Sequence, residues 1–154
     1  MASLFPSLRR ASRKPWGIRA RLHDAVEEEL GGALRVIRLD ASRPSEDMPG
    51  EAYDRVVLYF ALHGIPEARR RHALREAYRV ARPGGRIVIV DYHRPDASLP
   101  LRPAIRALLR IFRPAALELW NRDIAHWLPR FVLDREVRKE TLCGGLFQKL
   151  VVAA

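Results

Sequence analysis

Two unbroken apolar runs of strand length, Val56-Val57-Leu58-Tyr59-Phe60-Ala61-Leu62 and Ile87-Val88-Ile89-Val90, flank one helical stretch with almost no linker. Nothing else in the sequence restricts the fold so strongly. A strand whose successive residues are all apolar is buried on both faces, as parallel strands beneath helices are. Between the runs, Ala68 to Ala81 keeps a helical apolar face through Ala73, Leu74, Ala77, Tyr78 and Val80. Pro66 suits its first turn, and Pro83-Gly84-Gly85 predicts its end. Strand, helix and strand joined by short connections make a right-handed parallel βαβ unit, so the fold class is α/β.

The flanking segments extend this unit. Ile18, Leu22, Val26 and Leu30 fall every fourth position and predict a helix closed by Gly31-Gly32. Leu34 to Leu39 reads as a strand reaching Asp40, and the stretch 42–50, rich in Pro, Gly and acid, as a loop. Leu101 to Phe112 and Ala115 to Trp127 read as two helices separated by Pro114. Val132 to Leu142 and Leu146 to Val152 read as strands joined by a two-residue Gly144-Gly145 hairpin, which adds an antiparallel edge to a mostly parallel sheet. The 154 residues suit one domain. We divide them into a basic flexible tail, 1–17, and a domain, 18–154. The first 21 residues hold no acid and carry Arg9, Arg10, Arg13, Lys14, Arg19 and Arg21 among serines and prolines. That composition fits a mobile basic tail, a mis-assigned start or a transit segment.

The net charge is +10, and 25 of the 28 basic residues are Arg, so the surface attracts phosphates, anionic lipid or nucleic acid. No nucleic-acid reading motif accompanies the charge, so specific nucleic-acid binding is not expected. The single Cys143 excludes an internal disulfide and any multi-thiolate metal site, which fits a reducing, cytoplasmic compartment. No apolar run reaches the roughly 18 residues of a membrane span.

Several stretches carry a family resemblance. Tyr53-Asp54-Arg55-Val56-Val57, Leu62-His63, Glu76 to Arg86 with its Arg-Val-Ala-Arg-Pro-Gly-Gly core, and Ile87 to Asp91 together resemble the second half of class I S-adenosylmethionine (SAM)-dependent methyltransferases. Gly144-Gly145-Leu146-Phe147-Gln148-Lys149 resembles their closing hairpin. A narrower set comprises Asp91-Tyr92-His93-Arg94-Pro95, Pro100-Leu101-Arg102-Pro103, Leu117-Glu118-Leu119-Trp120, Ile124 to Pro129 around Trp127, and Lys139-Glu140-Thr141 with Gly144-Gly145. It is similar to the rhodoquinone-biosynthesis family, over about residues 34–152. The resemblance implies a Rossmann-like methyltransferase sheet, SAM as cofactor, a quinone substrate, transfer of an amino or methyl group and a divalent metal such as manganese. The first two strands and the glycine loop of that fold have no counterpart: before Gly50 the glycines are Gly17, Gly31 and Gly32, without G-x-G spacing. The expected chain is therefore a truncated methyltransferase-like domain, with a non-catalytic remnant or interaction module as the alternative.

In an open parallel sheet, ligands bind beyond the carboxyl ends of the strands, which directs attention to Asp40, Leu62-His63-Gly64 and Asp91-Tyr92-His93. Asp40 with the small Ala41 matches the place where related methyltransferases set an acid against the adenine amino group; it equally suits an acid opening a turn. Tyr59 and Phe60, at the end of the neighbouring strand, complete the candidate cofactor residues. His63 after a buried strand suits a general base, a metal ligand or a strand cap. Asp91 and His93 share one side of an extended segment, and with His63 form the candidate catalytic set and an N,N,O metal set. Tyr92, Trp120 and Trp127 are candidate substrate contacts for a flat ring, or ordinary core and lid packing. Arg102, Arg106, Arg110 and Arg113 lie opposite an apolar face, so the 101–113 helix is a candidate for peripheral contact with the inner face of a membrane, or a solvated basic face. A homo-oligomer is expected if the exposed edge of the sheet's third strand is not covered by the N-terminal helix.

Overall fold

The computed structural model describes residues 17–40, 48–133 and 136–154. The basic tail up to residue 16, Ala41 and most of the predicted 42–50 loop lie outside the described residues. The element order is α1 (Ile18–Leu30), β1 (Val36–Arg38), β2 (Tyr53–Tyr59), α2 (Glu67–Val80), β3 (Ala81–Tyr92), α3 (Arg102–Phe112), α4 (Ala116–Asn121), a 3-10 turn (Ile124–Trp127), α5 (Arg130–Leu133), β4 (Val137–Leu142) and β5 (Phe147–Ala153). The five strands form one sheet in the order β1-β2-β3-β5-β4. β1, β2 and β3 are parallel, while β5 runs antiparallel to both β3 and β4.

Both apolar runs occupy the predicted central positions, with Val56 opposite Ile87 and Leu58 opposite Ile89. Val56, Leu58, Ile87, Ile89, Leu150 and Val152 point into the larger core beneath α2, which contributes Ala73, Leu74, Ala77 and Val80. On the other face Leu22 of α1 meets Val90 and Phe147. α1 is also tied to the hairpin by charge. The buried Lys149 ammonium lies 3.4 Å from Glu29, 3.5 Å from Glu28 and 2.9 Å from Glu140. Desolvation disfavours the Lys149 ammonium, but these carboxylates outweigh it and raise its pKa.

The Pro83-Gly84-Gly85 punctuation ends α2 but does not interrupt the strand. Ala81 already pairs with Tyr53, and Arg86 with Arg55, so the excursion between them is an irregularity inside β3. Gly85 is required there, because a Cβ would come within 2.8 Å of Arg82 O and 3.1 Å of Tyr53 O. The acid preceding β2 serves the same junction. Asp54 Oδ2 accepts from the Leu34 and Arg35 backbone N–H groups at 3.0 and 2.6 Å, and Arg82 Nε lies 2.7 Å from Oδ1. One carboxylate thus joins the start of β1, the start of β2 and the irregularity inside β3.

Three expectations need correction. The predicted 115–127 helix breaks in two, because Arg122 is extended and Asp123 accepts from Ala125 N–H to start a new turn. The predicted strand from Val132 begins only at Val137: Arg130 to Leu133 is a short helical turn that buries Val132 in the core. The Gly144-Gly145 hairpin has a four-residue turn, Cys143 to Leu146, since Leu142 pairs with Phe147; Cys143, Gly144 and Gly145 all have positive φ.

Candidate active site

β2 ends at Tyr59 opposite Val90, two residues before the end of the parallel β3 at Tyr92, so the chain leaves both strands on the same side of the sheet. Phe60 turns out of β2 with φ of +52°, a strained conformation for a bulky residue. Aromatic contacts hold it: its ring lies 4.9 Å from Tyr59, 5.5 Å from Tyr92 and 5.5 Å from Phe147.

Asp91, fully buried at the end of β3, organises the segment that follows. Its Oδ2 accepts from Leu62 N–H at 2.8 Å and from His63 N–H at 3.2 Å. Its Oδ1 accepts from Tyr92 N–H at 2.8 Å and stands 3.1 Å from His63 Nδ1, near enough to pair but without hydrogen-bond alignment. The His63 ring meets Tyr92 edge-on at 5.0 Å. Asp91 and His63 therefore form one unit, in which a buried carboxylate fixes both the backbone and the ring of the neighbouring strand end.

The third member of the predicted set is elsewhere. His93 Nδ1 is 2.9 Å from Gly145 O, and because a carbonyl only accepts, Nδ1 donates. That leaves Nε2 to accept from Lys139 Nζ at 3.2 Å. Lys139 is in turn paired with Asp123. Burial opposes ionisation of Asp123, but Lys139 and the Ala125 N–H outweigh it and lower its pKa. The hairpin thus draws His93 away from His63, and the N,N,O set is not assembled. Among the described residues, no group of three or more His, Cys, Asp or Glu side chains is placed to hold a metal ion.

His93 instead borders a cavity of about 400 Å³, with Arg94, Asp96, Arg102, Trp120 and Asp123 among its lining. Trp120 is 6% exposed, and its buried Nε1 has no hydrogen-bond partner among the described residues. Tyr92 supports this wall from behind, touching the small cluster of Leu109, Ala116 and Trp120. Trp127 does not reach the cavity. It lies in the main core with the Arg70 guanidinium 5.0 Å above its ring. Arg70 is itself fully buried, donating from Nε to Leu62 O at 3.0 Å and standing 2.7 Å from Glu118. Glu118 and Lys139 stand in the sequence only within motifs of the family resemblance and Arg70 in none, since each reaches this region from an element distant along the chain.

Asp40 is exposed at the end of β1, and Ala41 lies outside the described residues. Tyr59 faces a groove of about 290 Å³ between α1 and the sheet, lined also by His23, Val26, Leu30 and Arg38. The Arg38 guanidinium lies 5.2 Å above its ring. Burial raises the Tyr59 pKa, against the opposing pull of Arg38 and Arg19.

Comparison with known proteins agrees with this geometry. A family model described as a methyltransferase domain matches residues 18–89. The chain resembles an O-methyltransferase family protein from Burkholderia thailandensis with a TM-score of 0.52 at 20% identity, over 88% of this chain and 40% of that one. It has a class I methyltransferase fold. The ubiquinone/menaquinone biosynthesis C-methyltransferase of Azotobacter vinelandii is 25% identical over 130 residues, 81% of this chain and 49% of that protein. The phosphatidylethanolamine N-methyltransferase of Cereibacter sphaeroides is 33% identical over 132 residues, 83% of this chain and 61% of that protein. The chain thus spans about half the length of the first of these relatives and somewhat more of the second.

The cofactor of SAM-dependent methyltransferases is S-adenosylmethionine, and the described residues fit only part of a site for it. In this type of sheet a glycine turn leads from a strand into a helix N-terminus that cradles the ligand. The connection from β1 to β2 contains one glycine, Gly50, and that glycine packs against Arg79 O, where a Cβ would sit at 3.3 Å. Asp40, Tyr59 and Phe60 lie at or just beyond the ends of β1 and β2, with no such glycine turn beside them.

Proposed function

We propose that this chain carries the substrate-facing part of a SAM-dependent, methyltransferase-like transferase acting on a quinone-type ring. The observation that carries this reading is the cavity beside His93. Trp120 lines it and carries a buried Nε1 that can only donate and has no partner among the described residues, and Arg94 and Arg102 add further donors. A flat ring bearing carbonyl oxygens meets those requirements, with the indole face as its apolar support. The quinone-biosynthesis relative supports the same substrate class. The Asp91-Tyr92-His93-Arg94-Pro95 segment and the Lys139-Glu140-Thr141 strand favour rhodoquinone formation from ubiquinone as the finer assignment. In this reading Asp91 and His63 are positioning residues, and His93, held by Gly145 O and Lys139, shapes the cavity wall.

The test is calorimetric titration of the full chain with a short-chain, water-soluble ubiquinone. Saturable binding is expected, weakened about fivefold in Trp120→Phe, which keeps a ring but removes the donor. Absence of binding, or equal binding by the variant, overturns the assignment of the cavity. A second reading, a non-catalytic module that kept the sheet, is favoured by the missing glycine cradle. Quinone binding without any SAM-dependent conversion by the full chain supports that second reading.

A further inference from the structure

α3 is the least integrated helix of the fold. Leu109 is its one buried residue, and Ile105 packs beside it on the Trp120 cluster. By contrast Leu101 is 65%, Leu108 57%, Ile111 72% and Phe112 69% exposed. At about 100° per residue these four side chains fall within an arc of roughly 100° on the helix surface. Arg102, Arg106, Arg110 and Arg113 fall within a narrower arc of roughly 80° on the opposite side. No Asp or Glu occurs from Ala97 to Leu117.

We propose that α3 lies in the headgroup layer of an anionic membrane, with Leu108, Ile111 and Phe112 toward the acyl boundary and its arginines among the lipid phosphates. An apolar face this exposed calls for a cover, and the charge beside it selects among covers. A second copy docked on the apolar face would cover it but leave the arginine row, on the opposite side of the helix, without a counter-charge. An anionic lipid surface meets both faces at once: the apolar residues enter the boundary layer, and the long Arg side chains reach back to the headgroups. No helix among the described residues is long and apolar enough to cross a membrane, so the contact is peripheral. This proposal does not depend on the quinone reading.

The experiment is co-sedimentation of the full chain with vesicles of phosphatidylcholine alone and of phosphatidylcholine mixed with phosphatidylglycerol, at low and high salt. Binding is expected to the mixed vesicles, to weaken with salt and to be slight on neutral ones. Arg106→Gln with Arg110→Gln should reduce it roughly tenfold or more. Ile111→Ser with Phe112→Ser should abolish most of what remains at high salt. Both pairs replace exposed side chains, and circular dichroism checks that the fold is retained. The basic residues of the tail, Arg9, Arg10 and Arg13, are unchanged in both variants. Binding that neither pair alters would therefore belong to another part of the chain and overturn the proposal. So would failure of the full chain to bind mixed vesicles, or a dimer in light scattering that Ile111→Ser with Phe112→Ser dissolves.

Discussion

Two aspartates bracket the parallel part of the sheet and act alike. Asp54, at its amino end, takes the N–H groups of Leu34 and Arg35; Asp91, at its carboxyl end, takes those of Leu62 and His63. Each carboxylate satisfies backbone donors that leave the ladder where strands diverge, which is why an acid occurs at both places. The Arg35 N–H, against some desolvation and with help from Arg82, holds the Asp54 carboxyl below its ordinary value of 3.8. Because the folded-state value is depressed, the stabilisation is complete above the unfolded value and disappears as pH falls through the folded one. Urea unfolding over a pH series should therefore show stability falling below about pH 4 in the wild type. That limb should be shallower in Asp54→Asn; parallel profiles would show that Asp54 contributes nothing through its charge. Asp91→Asn should cost about 1–3 kcal/mol, since an amide nitrogen replaces one acceptor facing Tyr92 N–H and His63, while the fold survives. Unfolding midpoints together with the imidazole NMR signals of His63 check this. Unchanged His63 ring signals would separate the ring from the carboxylate.

At the scale of elements, the βαβ unit was legible because periodicity is local: an all-apolar strand and a helical stripe declare themselves within about ten residues. The Gly85 position shows what local reading does not supply. Pro-Gly-Gly signals a stop, but the demand for glycine comes from the Arg82, Tyr53 and Asp54 carbonyls around it. Gly85→Ala should thus cost about 1–3 kcal/mol through backbone displacement. Gly84→Ala, where φ is +75° but the space is open, should cost about 1 kcal/mol through strain alone. Equal losses by chemical denaturation would contradict the crowding at Gly85. The site was legible in the same partial way. The strand-end rule located Asp91 and His63 because it follows from sheet topology, and it placed His93 beside them by alternation alone. What moved His93 away is the Gly145 carbonyl and Lys139, contributed by a hairpin some fifty residues later in the chain. The break at Asp123 was hidden for a similar reason: the apolar stripe runs on through it, and only the side-chain cap on Ala125 N–H reveals the new turn.

For the molecule as a whole, the decisive feature is which strand neighbours β2. In the doubly wound arrangement the nucleotide crevice opens where the first strand, with its glycine turn, lies beside the fourth. Here that place is taken by β1, three residues long, which ends in exposed Asp40 and satisfies the β2 edge without building a cradle. A strand so short also limits the edge it offers to another chain. Among the described residues the cavity beside His93 is lined by Trp120 and two arginines, while the wall at the end of β1 is open at exposed Asp40. An open wall leaves the methionine carboxylate and ammonium of SAM in water, so little binding energy is gained there. A ligand that binds the native state raises stability by RT ln(1 + [L]/Kd), so thermal unfolding is a direct reading of the same deficit. The full 154-residue chain should show no measurable shift in unfolding midpoint with SAM in large excess, and no saturable heat on titration. Asp40→Asn should leave both measurements unchanged. A clear midpoint shift in the wild type that Asp40→Asn removes would instead show that the β1 end holds the nucleoside without a glycine turn, and the open-wall account would then fail.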